Sequence, residues 1–231
     1  MREIVLDTET TGLDPKSGHR VVEIGCIELF NHVPTGETYH QYVNPERDIP
    51  AEAERVHGLS EDFLSGHPVF AEIAGDFIAF VGDAPLVIHN AAFDMGFINA
   101  ELALAGMPEI DRERAIDTVS MARRKFPGAQ ASLDALCRRF GIDLSERSLH
   151  GALLDAQLLA AVYLELLGGR QHGMDLAANA ARQQQDALDG GADEIPVSGR
   201  REARSHAASA DELARHQQFL EKIKDPIWLR A

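Results

Sequence analysis

Two carboxylates stand two residues apart near the start of the chain. The apolar segment Glu3–Asp7 has the composition of a strand, and the chain continues as DTETTG. Because strand side chains alternate with period two, Asp7 and Glu9 share one face. Two like charges this close repel each other unless a cation lies between them. A polar strand end that leads into a turn would give the same pattern, so the pair alone does not identify a metal site.

Two further clusters place acids beside predicted helix starts. In IHNAAFD a strand ends in a polar turn and Asp94 opens the next helix, while in HGALLDA His150 precedes a helix whose first turns contain Asp155. Functional residues of open α/β sheets gather where strands end. A carboxylate among apolar neighbours, as at Asp155, is costly unless it is paired or binds a metal. Alternatively, Asp94 could simply be an acid at a helix N-terminus, where the helix dipole stabilises it. Asp155 could likewise lie on the polar face of its helix.

Together the three clusters supply four carboxylates and one histidine. Divalent cations of the Mg²⁺ type prefer oxygen ligands. Two such ions, about 3.5–4 Å apart, can hold both the attacking and the leaving oxygen of a phosphodiester. A histidine can accept the proton of the attacking water, because its ordinary pKa lies near neutrality. The set predicts a phosphodiesterase that uses two divalent cations, Mg²⁺ or Mn²⁺.

The elements that must position these residues alternate between strands and helices. Strands are predicted at Glu3–Asp7, Val21–Phe30 and Glu37–Val43, with a turn at 34–36, which indicates an antiparallel start. Periodicity and capping signals then predict, in order, a helix at 68–81, a strand at 85–89, a helix at 92–105, a short strand at 115–118, and helices at 132–140 and 151–167.

Charge is distributed unevenly along the chain. The net charge is −15, and residues 1–168 hold 13 Lys and Arg against 27 Asp and Glu. A stand-alone nucleic-acid-binding protein usually carries a basic face, so a protein this acidic must bind cations, be delivered to an anionic substrate by a partner, or never contact nucleic acid. The early charges argue against a signal peptide, no apolar run is long enough for a membrane span, and the two cysteines are far apart. We expect a cytoplasmic protein.

The composition changes after residue 168. Residues 169–208 read as a linker, because 177–208 is rich in Ala, Gln, Gly, Asp and Arg and nearly lacks large apolar residues. Residues 209–231 begin with a capping box at Ser209 and Glu212. A helix of about 14 residues is marginal alone in water, so we expect this segment to fold onto a partner; folding back onto its own domain is the alternative. The apolar contacts would be Leu213, Phe219, Leu220, Ile223 and Trp228.

The segments DTETTGL, IHNAAFD and HGALLDA resemble the three motifs of the DEDDh 3′–5′ exonucleases. The resemblance covers residues 1–168, and MARRKFPG, SLDALC and the final WLRA are similar to proofreading members of that family. It implies an α/β, ribonuclease H-like fold. This fold has a mixed sheet, antiparallel in its first three strands and parallel thereafter, flanked by helices, and here it would carry a flexible C-terminal tail. The implied activity is removal of mispaired 3′-terminal nucleotides from DNA.

The resemblance also implies roles for individual residues. Asp7 would bridge two metal ions, Glu9 and Asp155 would hold the ion that activates water, Asp94 would support the second ion through water, and His150 would be the general base. Asp7, Glu9 and Asp155 would also contact the substrate. The terminal nucleotide would in addition contact Thr10, Glu52 and His57, for which an ordinary surface-loop role stays open.

Partners are implied for the C-terminal part. Residues 171–176 resemble peptides that bind the bacterial sliding clamp, with Gln171 as a polar anchor and Met174 and Leu176 in an apolar pocket. The partner of residues 209–231 would be the catalytic subunit of a replicative polymerase, with the linker as a tether. Two other functions stay open. One is a DEDDh ribonuclease that trims RNA 3′ ends; the other is a non-catalytic adaptor, which would predict a missing ligand or base, and none of the five is missing.

Overall fold

A single sheet forms the centre of the larger of two compact units. The computed structural model describes residues 1–145, 149–169 and 208–222, and those up to 169 belong to this unit. The strands are β1 (Arg2–Thr10), β2 (Val21–Phe30), β3 (Val33–Tyr42), β4 (Leu86–Ile88) and β5 (Ala115–Asp117). Their order is β3-β2-β1-β4-β5, with antiparallel pairing from β1 to β3 and parallel pairing from β1 through β4 to β5. The predicted mixed sheet is confirmed.

Helices cover both faces of this sheet. They are α1 (Ala51–His57), α2 (Glu61–Leu64), α3 (Phe70–Val81), α4 (Ala91–Leu104), α5 (Thr118–Lys125), α6 (Leu133–Phe140) and α7 (Ala152–Leu167). Alternate residues of β1 belong to the two separate cores. Ile4 and Leu6 pack with α3 and α4, while Val5 packs with α5, α6 and α7. Asp7 and Glu9 continue the face of Val5, so the strand period directs both carboxylates toward the α7 side.

The first hairpin differs from the sequence prediction. The predicted turn at 34–36 is wrong, because the chain reverses at Asn31 and His32, whose φ values are 50° and 67°. Two-residue hairpin loops need positive φ at their central residues, and Asn is among the residues that adopt it most readily. β3 therefore begins at Val33, and Pro34 is tolerated because β3 is an edge strand. β1 is also longer than predicted and contains Glu9 and Thr10.

The smaller unit contains α8 (Ala210–Leu220), which begins at the predicted capping box. Ser209 Oγ accepts from the Glu212 backbone at 3.3 Å, and the Glu212 carboxylate accepts from the Ser209 backbone at 2.8 Å. Leu213 and Phe219 are exposed, and Leu220 is buried. The predicted contacts of Ile223 and Trp228, the peptide 171–176 and most of the linker lie outside the described residues. Within the described ranges, no helix combines the length and apolar character that a bilayer crossing needs.

Candidate active site

The strand β1 supplies the first two carboxylates from the middle of the sheet. Asp7 lies opposite Gly25 of β2, and Glu9 lies opposite Glu23. The pairing register between β1 and β2 shifts between Glu9 and Thr10, near the end of β1. Glu9 is buried, whereas Asp7 is partly exposed in a cleft of about 370 Å³.

The helix α7 brings Asp155 and the preceding His150 to the same cleft. Asp155 lies in the first turn of α7 and is 3% exposed. His150 Nδ1 lies 3.1 Å from Asp155 Oδ2, and its backbone N–H donates to the Val56 carbonyl of α1 at 3.1 Å. One ligand atom each from Glu9, His150 and Asp155 lies within 4.8 Å of the others. Side chains that are distant in sequence thus form a compact group suited to a metal ion.

A glycine of β2 allows α7 to approach the sheet this closely. A Cβ atom on Gly25 would lie 2.3 Å from the backbone carbon of Ala152 and from the nitrogen of Leu153. Because Gly25 pairs with Asp7, the missing side chain permits the first turn of α7 to lie beside that carboxylate. No role was predicted for Gly25 from the sequence. Its signal was an isolated glycine inside the apolar strand VVEIGCIELF, which often marks a close backbone approach.

The helix α4 contributes Asp94 from the other side of β1. Asp94 is 3% exposed, and its Oδ1 accepts from the Thr8 backbone at 3.1 Å and from the Thr8 hydroxyl at 2.7 Å. Thr8 faces the α4 side of β1, opposite to Asp7 and Glu9. At the start of α4, Asn90 has φ 68°, and its backbone N–H donates to the Asp117 carboxylate at 3.0 Å. These contacts fix the position of Asp94 relative to the β1 carboxylates.

Burial and mutual repulsion suit this cluster of carboxylates to binding cations. Although Asp7 keeps some contact with solvent in the cleft, desolvation by the surrounding protein, and then the negative charges of Asp94, Glu9 and Asp155, raise the pKa of Asp7 well above its ordinary value. Burial also raises the pKa of Asp94 to about 7, although the Thr8 donors act in the opposite direction. Bound divalent cations would offset both effects, because they favour the charged carboxylates. The oxygen-rich donor set fits Mg²⁺ or Mn²⁺.

Two neighbouring cavities adjoin Glu9. The cleft around the carboxylates is the first cavity, and a second, of about 590 Å³, shares Thr8, Glu9 and Phe93 with it. The five residues predicted for catalysis line the first cavity: Asp7, Glu9, Asp94, His150 and Asp155. The three predicted for the terminal nucleotide line the second: Thr10, Glu52 and His57. Six further residues that had no predicted role in the site also line the first cavity: Thr8, His89, Phe93, Ser132, Leu133 and Asp134.

His57 lines the second cavity, and its imidazole has a buried nitrogen without a hydrogen-bond partner among the described residues. His57 is 5% exposed, and its Nδ1 accepts from the Leu59 backbone at 3.0 Å. Accepting at Nδ1 leaves the proton of the neutral ring on Nε2, and burial lowers the pKa of His57, which favours the neutral form. Among the described residues Nε2 has no hydrogen-bond partner. A ligand oxygen in the second cavity could satisfy this buried donor.

Comparisons with known proteins agree with this geometry. The exonuclease family matches residues 4–163. The chain is 48% identical to the DNA polymerase III subunit epsilon of Rickettsia felis, over 96% of this chain and 97% of that one. It is 47% identical to the subunit of the same name from Escherichia coli, over 80% of this chain and 78% of that one.

Solved structures show the same fold. Exonuclease X, in a complex with 5′-overhanging duplex DNA, is 27% identical with a TM-score of 0.56, over 71% of this chain and 90% of that one. The nuclease domain of 3′hExo, described as a DEDDh family member bound to rAMP, has a TM-score of 0.63 at 20% identity, over 72% of this chain and 91% of that one. The second likeness supports the fold alone.

Proposed function

The chain belongs to the exonuclease family and, within it, to the DNA polymerase III epsilon subunits, and we propose that it proofreads DNA synthesis. In this role it removes mispaired nucleotides from the 3′ end of the growing strand. The observation that carries the proposal is the convergence of four carboxylates and His150 on one cleft, beside a second cavity lined by His57, whose Nε2 has no partner among the described residues. A mispaired 3′ end unstacks at lower cost than a paired one, so it reaches a single-strand site more often.

Two divalent cations are the proposed cofactors. Asp7 would hold both, Glu9 and Asp155 would complete the site of the first, and Asp94 would support the second. When bound, such ions neutralise phosphate charge and lower the pKa of water. The raised pKa values of Asp7 and Asp94 support this assignment, because a like-charged buried cluster is most stable with cations between its members.

The protein's own groups would perform the remaining steps. His150 would accept the proton of the attacking water, and Asp155, 3.1 Å from Nδ1, would orient the ring and stabilise the positive charge that it gains. The second cavity would hold the terminal nucleotide, with His57 Nε2–H as a donor to one of its oxygens. Thr10 and Glu52, which line the same cavity, would contact the same nucleotide. A ring nitrogen of His150 also lies within 4.8 Å of carboxylate oxygens of Glu9 and Asp155. The alternative role of His150 is therefore that of a metal ligand.

The experiment that tests this function compares 3′ ends of DNA and RNA under Mg²⁺. We expect the protein to shorten single-stranded DNA from the 3′ end, to remove mispaired ends faster than paired ones, and to stop in EDTA. Asp7→Asn should be inactive. Asp76→Asn, which removes the same charge from the exposed face of α3, should match the wild type. Preferential shortening of RNA would instead favour the ribonuclease function, and no shortening of either would favour the adaptor.

The proposed partner is the catalytic subunit of DNA polymerase III, reached through residues 209–231. The names of the relatives support this partner. The exposed Leu213 and Phe219 on α8 support an interaction surface, because large apolar side chains on a short helix gain most when a partner covers them. Ile223 and Trp228 would extend that surface. Binding of residues 171–176 to the sliding clamp, through Gln171, Met174 and Leu176, is proposed on the sequence resemblance alone.

A further inference from the structure

A group of basic side chains interrupts the acidic character of the nuclease domain. Residues 118–140 contain five basic residues and one acidic residue, whereas residues 1–168 contain 13 and 27. We call these five the basic surface; they lie in the last turns of α5 and α6, and all are exposed: Arg123, Arg124, Lys125, Arg138 and Arg139.

Aromatic contacts join the two helix ends into one surface. The Arg139 guanidinium lies 4.5 Å from the centre of the Phe126 ring, and Lys125 Nζ lies 6.0 Å from it on the neighbouring helix end. The Phe126 and Phe140 rings pack 5.9 Å apart between them. Lys125 has a structural role as well, because its Nζ donates to two carbonyls at the end of α7. The four arginines are the members that a ligand can engage without breaking this contact.

The arginines of α6 are compatible with an incoming phosphate. Arg138 pairs with Asp134 at 3.3 Å, and the Arg138 side chain is 69% exposed. Exposed pairs of this kind contribute at most about 1 kcal/mol, so a phosphate can replace the carboxylate at little cost. Arg138 and Arg139 also line one shallow depression together with Gln130. Guanidinium groups suit phosphate because they donate in a planar fork.

The helix α6 connects the basic surface to the active site. Its N-cap Ser132 and its first residues Leu133 and Asp134 line the first cavity. At a rise of 1.5 Å per residue, Arg138 and Arg139 lie about 8–9 Å further along the helix axis. A stacked strand with the 3.4 Å rise of B-form DNA would cover that distance in roughly two or three nucleotides.

The positions of the two cavities indicate in which direction a bound strand would run. A terminal nucleotide in the second cavity would place the scissile phosphate near Asp7 and Glu9. The strand would then continue into the first cavity, which is the cavity that α6 borders. The 5′ continuation of the strand would then pass the first turn of α6, and α6 leads from there to the basic surface.

We propose that the basic surface binds the phosphates of the substrate strand, beginning roughly two or three nucleotides from the 3′ end. The inference rests on the proposed function, because it takes the second cavity as the place of the terminal nucleotide. An acidic protein segment would also suit the charges. The continuity with the active-site cleft favours the substrate strand, and the other partner is an outcome of the test.

The test measures kcat/KM on a thymidine dinucleotide and on a thymidylate dodecamer, across a series of NaCl concentrations. The variants are Arg138→Gln/Arg139→Gln and Arg123→Gln/Arg124→Gln. The control Lys16→Gln/Arg112→Gln removes two exposed charges from a surface beside α4. Each double variant should lower kcat/KM for the dodecamer about tenfold at low salt. Loss of two phosphate contacts should also reduce the slope of log(kcat/KM) against log[NaCl] by about 1.4.

Turnover of the dinucleotide separates the possible results. The inference expects both arginine variants to cleave it at the wild-type rate, because it is too short to reach the basic surface. Equal dodecamer kinetics in wild type and variants would overturn the inference and would leave an acidic protein partner as the use of the surface. Parallel losses on both substrates would also overturn it, since the arginines would then act on the active site itself. Failure of the wild type to cleave either substrate would instead refute the proposed function.

Discussion

Replacing Gly25 with alanine tests how the sheet positions the catalytic helix. The new Cβ would lie 2.3 Å from the backbone of Ala152 and Leu153, whereas ordinary contacts begin at about 3.4 Å. Both opposing atoms belong to the backbone, so no side chain can rotate away. The first turn of α7 must therefore move by about 1 Å, and Asp155 and the adjoining His150 must move with it.

This displacement should affect catalysis more than folding. A misplacement of about 1 Å in a catalytic group can cost about 10²-fold in rate, and we expect kcat to fall by about that factor. Overpacking a core typically costs about 1–3 kcal/mol of unfolding free energy, which a domain of this size should tolerate. Affinity for Mn²⁺ should also fall, because Asp155 would move away from Asp7 and Glu9.

The assay combines exonuclease kinetics, Mn²⁺ titration and chemical denaturation, at a temperature where the variant is folded. Gly75→Ala is the matched control, because Gly75 is exposed on α3 and its added Cβ would meet no described atom within 4 Å. That control should keep full activity and gain up to about 1 kcal/mol of stability from helix propensity. A folded Gly25→Ala protein with wild-type kcat and Mn²⁺ affinity would refute the positioning argument.

Three other substitutions or conditions give further predictions. His150→Ala should lower kcat about 10²–10⁴-fold, the usual effect of losing a general base; unchanged Mn²⁺ affinity would support the base, and a large loss of affinity would support the ligand assignment. Without divalent ions, unfolding free energy should fall as the pH rises from about 4 to about 7. The reason is that folded Asp94, with a pKa of about 7 against 3.8 unfolded, retains a proton that the unfolded chain has released. The change should be at most about 4 kcal/mol, and denaturation in EDTA should show it for the wild type and a smaller change for Asp94→Asn. Truncation after Gly191 should leave hydrolysis of single-stranded DNA intact but abolish co-purification with the polymerase catalytic subunit; tight binding by the truncated protein would contradict the tether.

The regular elements were predictable because their signals are local. Alternation along β1 placed Asp7 and Glu9 on one face, and the Ser132 and Ser209 caps marked the starts of α6 and α8. The turn of the first hairpin was predicted at the wrong residues because Pro34 and Gly36 are stronger turn signals in the sequence than Asn31. α1 and α5 were missed because AEAERVH and TVSMARRK are short, largely polar segments.

The assembly of the site depends on contacts between distant segments. The backbone contact between His150 and Val56 and the bonds from Thr8 to Asp94 join residues that no local pattern relates. Gly25 illustrates the same limit, because its role appears only when α7 is placed against β2. The motifs therefore predicted which residues could take part in catalysis, while the geometry had to come from the fold.

The most direct measurement of the central claim is Mn²⁺ binding by calorimetry, in wild type and Asp7→Asn, beside hydrolysis of a mispaired 3′ end. We expect the wild-type chain to bind two ions in the presence of a nucleotide monophosphate. Asp7→Asn should bind Mn²⁺ more weakly and should not hydrolyse DNA. Its circular dichroism spectrum should remain that of the folded protein. A folded Asp7→Asn protein that hydrolyses DNA at the wild-type rate, or a wild type that is fully active in EDTA, would contradict the claim that these carboxylates act through bound cations.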